Sequence, residues 1–274
     1  MKNVAFGQYY PVDSVIHRMD PRAKIIMAIL YIVCTFICKN VFCFALLVLT
    51  TVAVILFSRI PLRVVLASIK PLIFILVFTS FINIFASRGE HLLTPENWWI
   101  KIYAEGLWNA LFMVLRIVAL LASTGVFLSF TTTPIALTDA MEQLLSPLKK
   151  LRIPVHDVAM MTTIALRFIP TLMEETEKIM NAQKSRGADF QNGSLIQRAK
   201  ALLPIFIPLL GSAFKRADEL ANAMDCRCYH GGEGRTKLKV LHLRASDVFG
   251  VILILALGVG IFFLNRVGIG YTMN

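Results

Sequence analysis

Charge is scarce in this sequence, and negative charge scarcest of all. Only 16% of the 274 residues are Asp, Glu, Lys or Arg, and 17 are acidic, whereas 57% are hydrophobic. Soluble domains carry nearer a quarter charged residues, so the composition excludes an ordinary soluble domain and indicates an integral membrane protein. Cysteine is sparse too: the five present give no disulfide framework. Cys34, Cys38 and Cys43 lie in or beside apolar runs and are expected to pack as small hydrophobes. The five histidines, His17, His91, His156, His230 and His242, are scattered, and none sits in an apolar run. No catalytic constellation stands out, which argues against a membrane enzyme. There is no G-x-x-x-x-G-K-[ST], so any ATP must bind a partner. No cleavable leader is expected, because the first apolar run comes late, after HRMDPRAK, and no A-x-A site follows it.

What is abundant is long apolar stretches. Five runs are expected to cross a bilayer: Ile25 to Cys38, Val41 to Phe57, Pro71 to Ala86, Leu107 to Phe130 and Val248 to Leu264. A span needs roughly 20 residues, so the first must borrow flanking residues such as Arg22 and Ala23. The third opens on Pro71 and carries Asn83. The pairs Ala119/Ser123, Gly125/Ser129 and Ala256/Gly260 mark expected helix-packing faces. Basic residues set the sidedness. Lys2, Arg18, Arg22 and Lys24 precede the first run, Arg59, Arg63 and Lys70 follow the second, and sixteen Lys and Arg fall between Thr131 and Ser246. The other segments hold only Lys39, Arg88, Lys101 and Arg266. The expectation is an N-terminus inside, a C-terminus outside, and one large cytoplasmic insert. The domains are then 1–130 (tail and four spans), 131–246 (the insert) and 247–274 (last span and external tail). This bias accounts for the net charge of +11 without invoking nucleic acid.

The insert contains a repeat. Thr133 is an N-cap candidate with Pro134 after it, opening a short first helix. A second helix is expected from about Pro154 to Arg186, with Gly187 as its C-cap, and a third from about Ser194 to Cys228. Each of these two has an apolar half containing Phe-Ile-Pro, then a charged half, EETEKIMNAQKSR or KRADELANAMDCR. Both apolar halves are too short and too interrupted by Pro and Arg to be spans. The Phe-Ile-Pro offset is 38 and the tip offset 41, which makes the third helix one turn longer. Each helix ends on an arginine between small residues: Ser185-Arg186-Gly187 and Cys226-Arg227-Cys228. A lone arginine there would simply complement the helix dipole. Two equivalent tips suit two similar partners, because an arginine with small flanks can enter a groove and fork onto a carboxylate.

HRMDPRAKI, TTTPIALTDAMEQLLSPLKKL, RFIPTLMEETEKIMNAQKSRGADF and RADELANAMDCRCYHGG resemble the transmembrane T component of energy-coupling factor (ECF-type ABC) transporters, across nearly the whole chain. The resemblance implies an all-α membrane protein of about five spans, with a cytoplasmic coupling domain of three helices, two of them long arms. It implies that Arg186 and Arg227, with Ser185, Gly187, Cys226 and Cys228, contact two ABC-type ATPase subunits. It further implies a membrane S component that captures a vitamin or related micronutrient, ATP and Mg bound only by the ATPase partners, and no cofactor of the chain's own. The family tip is most often Ala-Arg-Gly, so Cys226 and Cys228 are departures. Met160, Met161, Leu166, Phe168, Ile205, Phe206 and Leu209 are expected to form an apolar platform for the S component, methionine suiting varied partners. Cys226, Cys228 and His230 offer three ligands where structural zinc normally takes four, and no metal site is assigned. The alternative reading is a self-sufficient secondary transporter built around Arg116, the charge inside the fourth run. Against it, the spans show no inverted repeat.

Overall fold

The structure is a computed structural model that describes residues 9–86, 103–152, 154–188, 190, 194–231 and 241–267. Lys2, Arg88, His91, Lys101 and Gly232 of the sequence reading lie outside the described residues. The fold is all-α. By internal contacts the chain divides into two compact units, Met1–Ala140 with Val240–Asn274, and Met141–Lys239.

The first unit holds the apolar helices. Helix α1 runs Pro21–Ile37. Asp20 caps it, accepting from the Arg22 N–H, and Pro21 takes the first position, where a missing N–H costs nothing. The helix thus takes in Arg22, Ala23 and Lys24, as the short first run required. Its 17 residues still rise only about 25 Å, short of the roughly 30 Å hydrocarbon core. Among the described residues, four other helices or helix pairs are long and apolar enough to span: Val41–Ser58, Leu62–Phe85, Ala104–Phe130 and Ala245–Arg266.

The third apolar run belongs to a longer helical stretch than expected. That stretch begins at Leu62, not Pro71, so Arg63 and Lys70 lie within helix rather than in a link. The physical reason is Pro71. It cannot donate to the carbonyl four residues back, and instead of ending the helix it tightens one turn. Helix α3 (Leu62–Ile69) passes through a 3-10 turn at Lys70–Leu72 into α4 (Ile73–Ala86). Helix α2 is Val41–Ser58, α5 is Ala104–Thr124, and α5 continues as a π-helical turn, Gly125–Phe130.

Helices α1 and α9 (Ala245–Val267) pack closely. The contact runs along Gly250, Ile254, Gly258 and Ile261. A Cβ on Gly250 would come within 2.7 Å of Met19 Cε and 2.9 Å of Met27 Sδ, and one on Gly258 within 3.0 Å of Cys34 Sγ. The expected Ala256/Gly260 face is corrected by this. Nothing lies within 4 Å of a Cβ on Gly260, and Ala256 is exposed. Gly125 and Ser129 do not form a joint face either, since Phe130 fills the space beside Gly125 and Ser129 is exposed. Ala119 and Ser123 are buried as expected. Cys34, Cys38 and Cys43 are buried in the core. Polar ties close the far end of the pair: Asn265 donates to the Ile37 carbonyl at 2.6 Å and Asn40 to the Leu264 carbonyl at 3.1 Å.

Helix α6 (Pro134–Leu144) starts in the first unit, with the Thr133 hydroxyl accepting from the Ala136 N–H. In the second unit a 3-10 turn, Ser146–Leu151, leads to α7 (Val155–Ser185) and then α8 (Leu195–Asp225). His156 and Glu142, 2.9 Å apart, tie the start of α7 to the end of α6. Ser194 and Gln197 form a reciprocal capping box at the start of α8. Both long helices have 31 residues, so α8 is not longer overall. Two extra residues after Pro208, compared with those after Pro170 in α7, are offset by two fewer before it.

Because a side chain at Gly250 must displace Met19 and Met27, the bulky Gly250→Leu is expected to destabilise by about 1–3 kcal/mol through overpacking. Gly260→Ala points into open space and is expected to be neutral or stabilising by up to about 1 kcal/mol. Thermal unfolding in detergent compares the two, and a Gly250→Leu variant as stable as the parent would contradict the packing.

Candidate functional site

The two arginine tips are the same structure. At the end of α7 the Ala188 N–H bonds the Gln183 carbonyl at 3.0 Å and the Gly187 N–H bonds Lys184 at 3.0 Å. At the end of α8 the Tyr229 N–H bonds the Met224 carbonyl at 3.1 Å and the Cys228 N–H bonds Asp225 at 2.9 Å. Both are Schellman caps, with the arginine just before a left-handed residue. Gly187 holds φ +87 and Cys228 φ +55. Cys228 therefore occupies the glycine position of the first tip at a steric cost that glycine avoids. Ser185, Arg186, Gly187, Cys226, Arg227 and Cys228 are all exposed. His230, the third candidate ligand, turns its Nδ1 to the Cys228 carbonyl at 2.8 Å.

Helices α7 and α8 pack antiparallel. Tyr229 OH reaches Met160 Sδ at 3.1 Å, and Arg216 donates to Glu175 at 3.0 Å. Between these contacts a cavity of about 260 Å³ is lined by Ile164, Phe168 and Leu172 on one helix and Ala217, Leu220 and Met224 on the other. The tips therefore sit at opposite ends of the pair, which the sequence repeat did not reveal. Glu175 and Arg216 are repeat-equivalent positions of opposite charge. The same eleven-residue step separates Glu175 from Arg186 and Arg216 from Arg227. From this ion pair each tip extends roughly 16 Å. The Ser212 hydroxyl and the Arg216 guanidinium beside it hold the Glu175 carboxyl below its ordinary range.

The sequence profile of CbiQ, described as a cobalt transport protein, matches residues 13–238. A protein of Ruminiclostridium cellulolyticum named energy-coupling factor transporter transmembrane protein EcfT is 48% identical over 249 residues, 90% of this chain and 92% of its own length. Proteins of the same name in Clostridium kluyveri and Bacillus subtilis are 46% and 45% identical, each over 97% of this chain and 98% and 99% of their own lengths. The chain belongs to the EcfT family. It is the transmembrane component of an energy-coupling factor transporter.

Within this EcfT chain the expected platform residues divide by exposure. Met161 and Phe206 are exposed, Met160, Leu166, Phe168 and Leu209 are half-buried, and Ile205 is buried. Leu202, Leu203, Ile207, Leu210 and Phe214 are exposed on the same helix as Phe206 and were missed. The signal was available, since α8 carries apolar residues all round in this half, more than one packing stripe uses. Arg116 donates to the Cys38 carbonyl at 2.8 Å, and its guanidinium lies 5.4 Å from the centre of the Phe44 ring, which stacks on Phe112. It ties α5 to the α1–α2 turn, a structural use that weakens the secondary-transporter reading. Among the described residues no group of three His, Cys, Asp or Glu is placed to hold a metal.

The shared cap predicts that Cys228→Gly relieves about 1 kcal/mol of left-handed strain. The Cys228 and Tyr229 amides, read by hydrogen exchange, are expected to protect roughly five-fold better. Gly187→Val is expected to cost about 1–2 kcal/mol at the other tip. Equal exchange in parent and Cys228→Gly proteins would show that the position carries no strain.

Proposed function

We propose that the chain is the membrane scaffold through which two cytoplasmic ATPase subunits drive reorientation of a vitamin-binding S component. The observation that carries this is the pair of matched tips at opposite ends of one helix pair. Two like sites held apart at equal reach suit two like partners, one seated on Arg186 and its flanks Ser185 and Gly187, the other on Arg227 with Cys226 and Cys228. Each guanidinium has a planar fork suited to an acidic groove residue. ATP and Mg belong to the partners, and the chain contributes no cofactor or covalent chemistry. The basic bias of residues 131–246 supports a cytoplasmic insert, with the N-terminus inside and the C-terminus outside. Closure of the ATPase pair then moves the tips, and the arms pass that motion to the membrane half. Cys226 and Cys228 act as small flanks, and zinc at one per purified chain would count against that role.

Losing one partner of a buried, hydrogen-bonded charge pair costs about 2–5 kcal/mol. Arg186→Ala and Arg227→Ala are each expected to weaken coupling while the other tip still holds. The double variant is expected to lose its ATPase subunits and abolish uptake, without loss from the membrane. Mass spectrometry of the purified complex and cellular uptake of a panel of radiolabelled vitamins check this. Full ATPase content and normal uptake in the double variant would make the tips ordinary helix ends.

For the S component we propose the apolar face around Met161 and Phe206, with Met160, Leu166, Phe168, Ile205 and Leu209 supporting it. Changing Phe206 and Leu209 together to Ser is expected to release the S component while both ATPase subunits stay bound. Retention of the S component with normal uptake would refute the platform.

A further inference from the structure

Lys24 is 1% exposed, and nothing in the transport reading uses it. A buried ammonium costs several kcal/mol unless its surroundings repay it. Here each of its three donors has an acceptor. Lys24 Nζ reaches the Thr131 carbonyl at 2.9 Å, Thr132 Oγ1 at 3.2 Å and the His17 carbonyl at 3.4 Å. The neighbouring carboxylates have donors of their own. Asp247, 0% exposed, accepts from the Arg244 N–H at 2.7 Å and the Asp20 N–H at 3.2 Å, and Asp20 accepts from the Arg22 N–H at 2.9 Å. The charge of Lys24 faces these two acids, while its hydrogen bonds go elsewhere. What it grips is backbone and side chain at Thr131–Thr132.

Those two residues are a joint. They lie between the π-helical turn that ends at Phe130 and Thr133, the N-cap of α6. π-helical hydrogen bonding is rarer and less favourable than the α ladder, and single turns of it often sit at functional positions. The joint is held from outside its own helix: by Lys24 on α1, and by the Tyr10 N–H, which bonds the Phe130 carbonyl at 2.9 Å. Thr131 and Thr132 are themselves 3% and 6% exposed.

We propose that Lys24 is a positioning residue that clamps the root of α6 to α1, so that displacement arriving along α6 is delivered to the helix bundle instead of being absorbed at the joint. The transport part of this rests on the coupling function proposed above; the clamp itself does not.

The test uses the complete complex purified from its host, as parent, Lys24→Met and Thr132→Val. Lys24→Met keeps the stem and removes all three contacts; Thr132→Val removes one of them, together with the Thr132 hydroxyl's bond to the Phe127 carbonyl, while keeping the shape. In Lys24→Met the amides of residues 133–138 (Pro134 has none) are expected to exchange about ten-fold faster, with α1 and α9 unchanged. Thr132→Val is expected to move the same amides less. Vitamin uptake per ATP hydrolysed, with the labelled panel, is expected to fall about ten-fold in Lys24→Met. Unchanged exchange at 133–138 would overturn the clamp, and faster exchange spread equally through α1 and α9 would reduce Lys24 to general structural support. Faster local exchange with an unchanged uptake-to-ATP ratio would overturn its role in transport. If Lys24→Met fails to accumulate, Thr132→Val decides by the same readings. A parent complex without ATPase subunits would refute the coupling function, while the exchange result would still judge the clamp.

Discussion

The close approach of the first and last helices is the constraint on which the rest of the first unit depends. A side chain at Gly250 or Gly258 would have to displace Met19, Met27 or Cys34, and α1 and α9 meet from the Asp20–Asp247 contact at one end to the Ile37–Asn265 contact at the other. That contact buries Lys24, Asp20 and Asp247 at one end and brings Asn40 and Asn265 to facing carbonyls at the other. It also closes the bundle with helices from opposite ends of the sequence. The segment Met141–Lys239 is therefore a true insertion, leaving and re-entering one packed body.

The insertion solves a different problem, that of making two ends alike from unlike residues. Schellman geometry is a property of backbone bonds, so Gly187 and Cys228 give the same turn with different side chains. Antiparallel packing then separates the ends. The Glu175–Arg216 pair joins equivalent positions of the repeat, which places the approximate symmetry of the arms at that contact. Prolines 170, 204 and 208 are carried inside the helices without ending them, each giving up one ladder bond.

Much of this was legible in the sequence. Helix types, the Thr133 cap, the ends of α7 and α8 within a few residues, and the equivalence of the tips all followed from local signals: capping residues, apolar runs and the 41-residue offset. What was not legible depended on long-range packing. A pair of small residues four apart says that a helix has a narrow face, not which neighbour meets it, so Ala256/Gly260 was chosen where Gly250 and Gly258 do the packing. Pro71 looked like a start signal and proved to be a tightened turn within a longer helix. The antiparallel course of the arms was hidden because a repeat fixes register and not direction. Lys24 was counted as one more basic residue of the tail, since burial of a single lysine leaves no mark on composition.

The pairing of α1 with α9 also has a cost in time. Roughly two hundred residues separate the end of α1 from the start of α9. At 5–20 residues per second, translation takes about 10–40 s to supply the partner. Throughout that interval a helix of 17 residues, about three short of the usual spanning length, lies in or at the bilayer with its glycine-matched face uncovered. The nascent chain thus has a long window in which α1 lacks its α9 partner, and a ribosome paused inside the insertion would lengthen it.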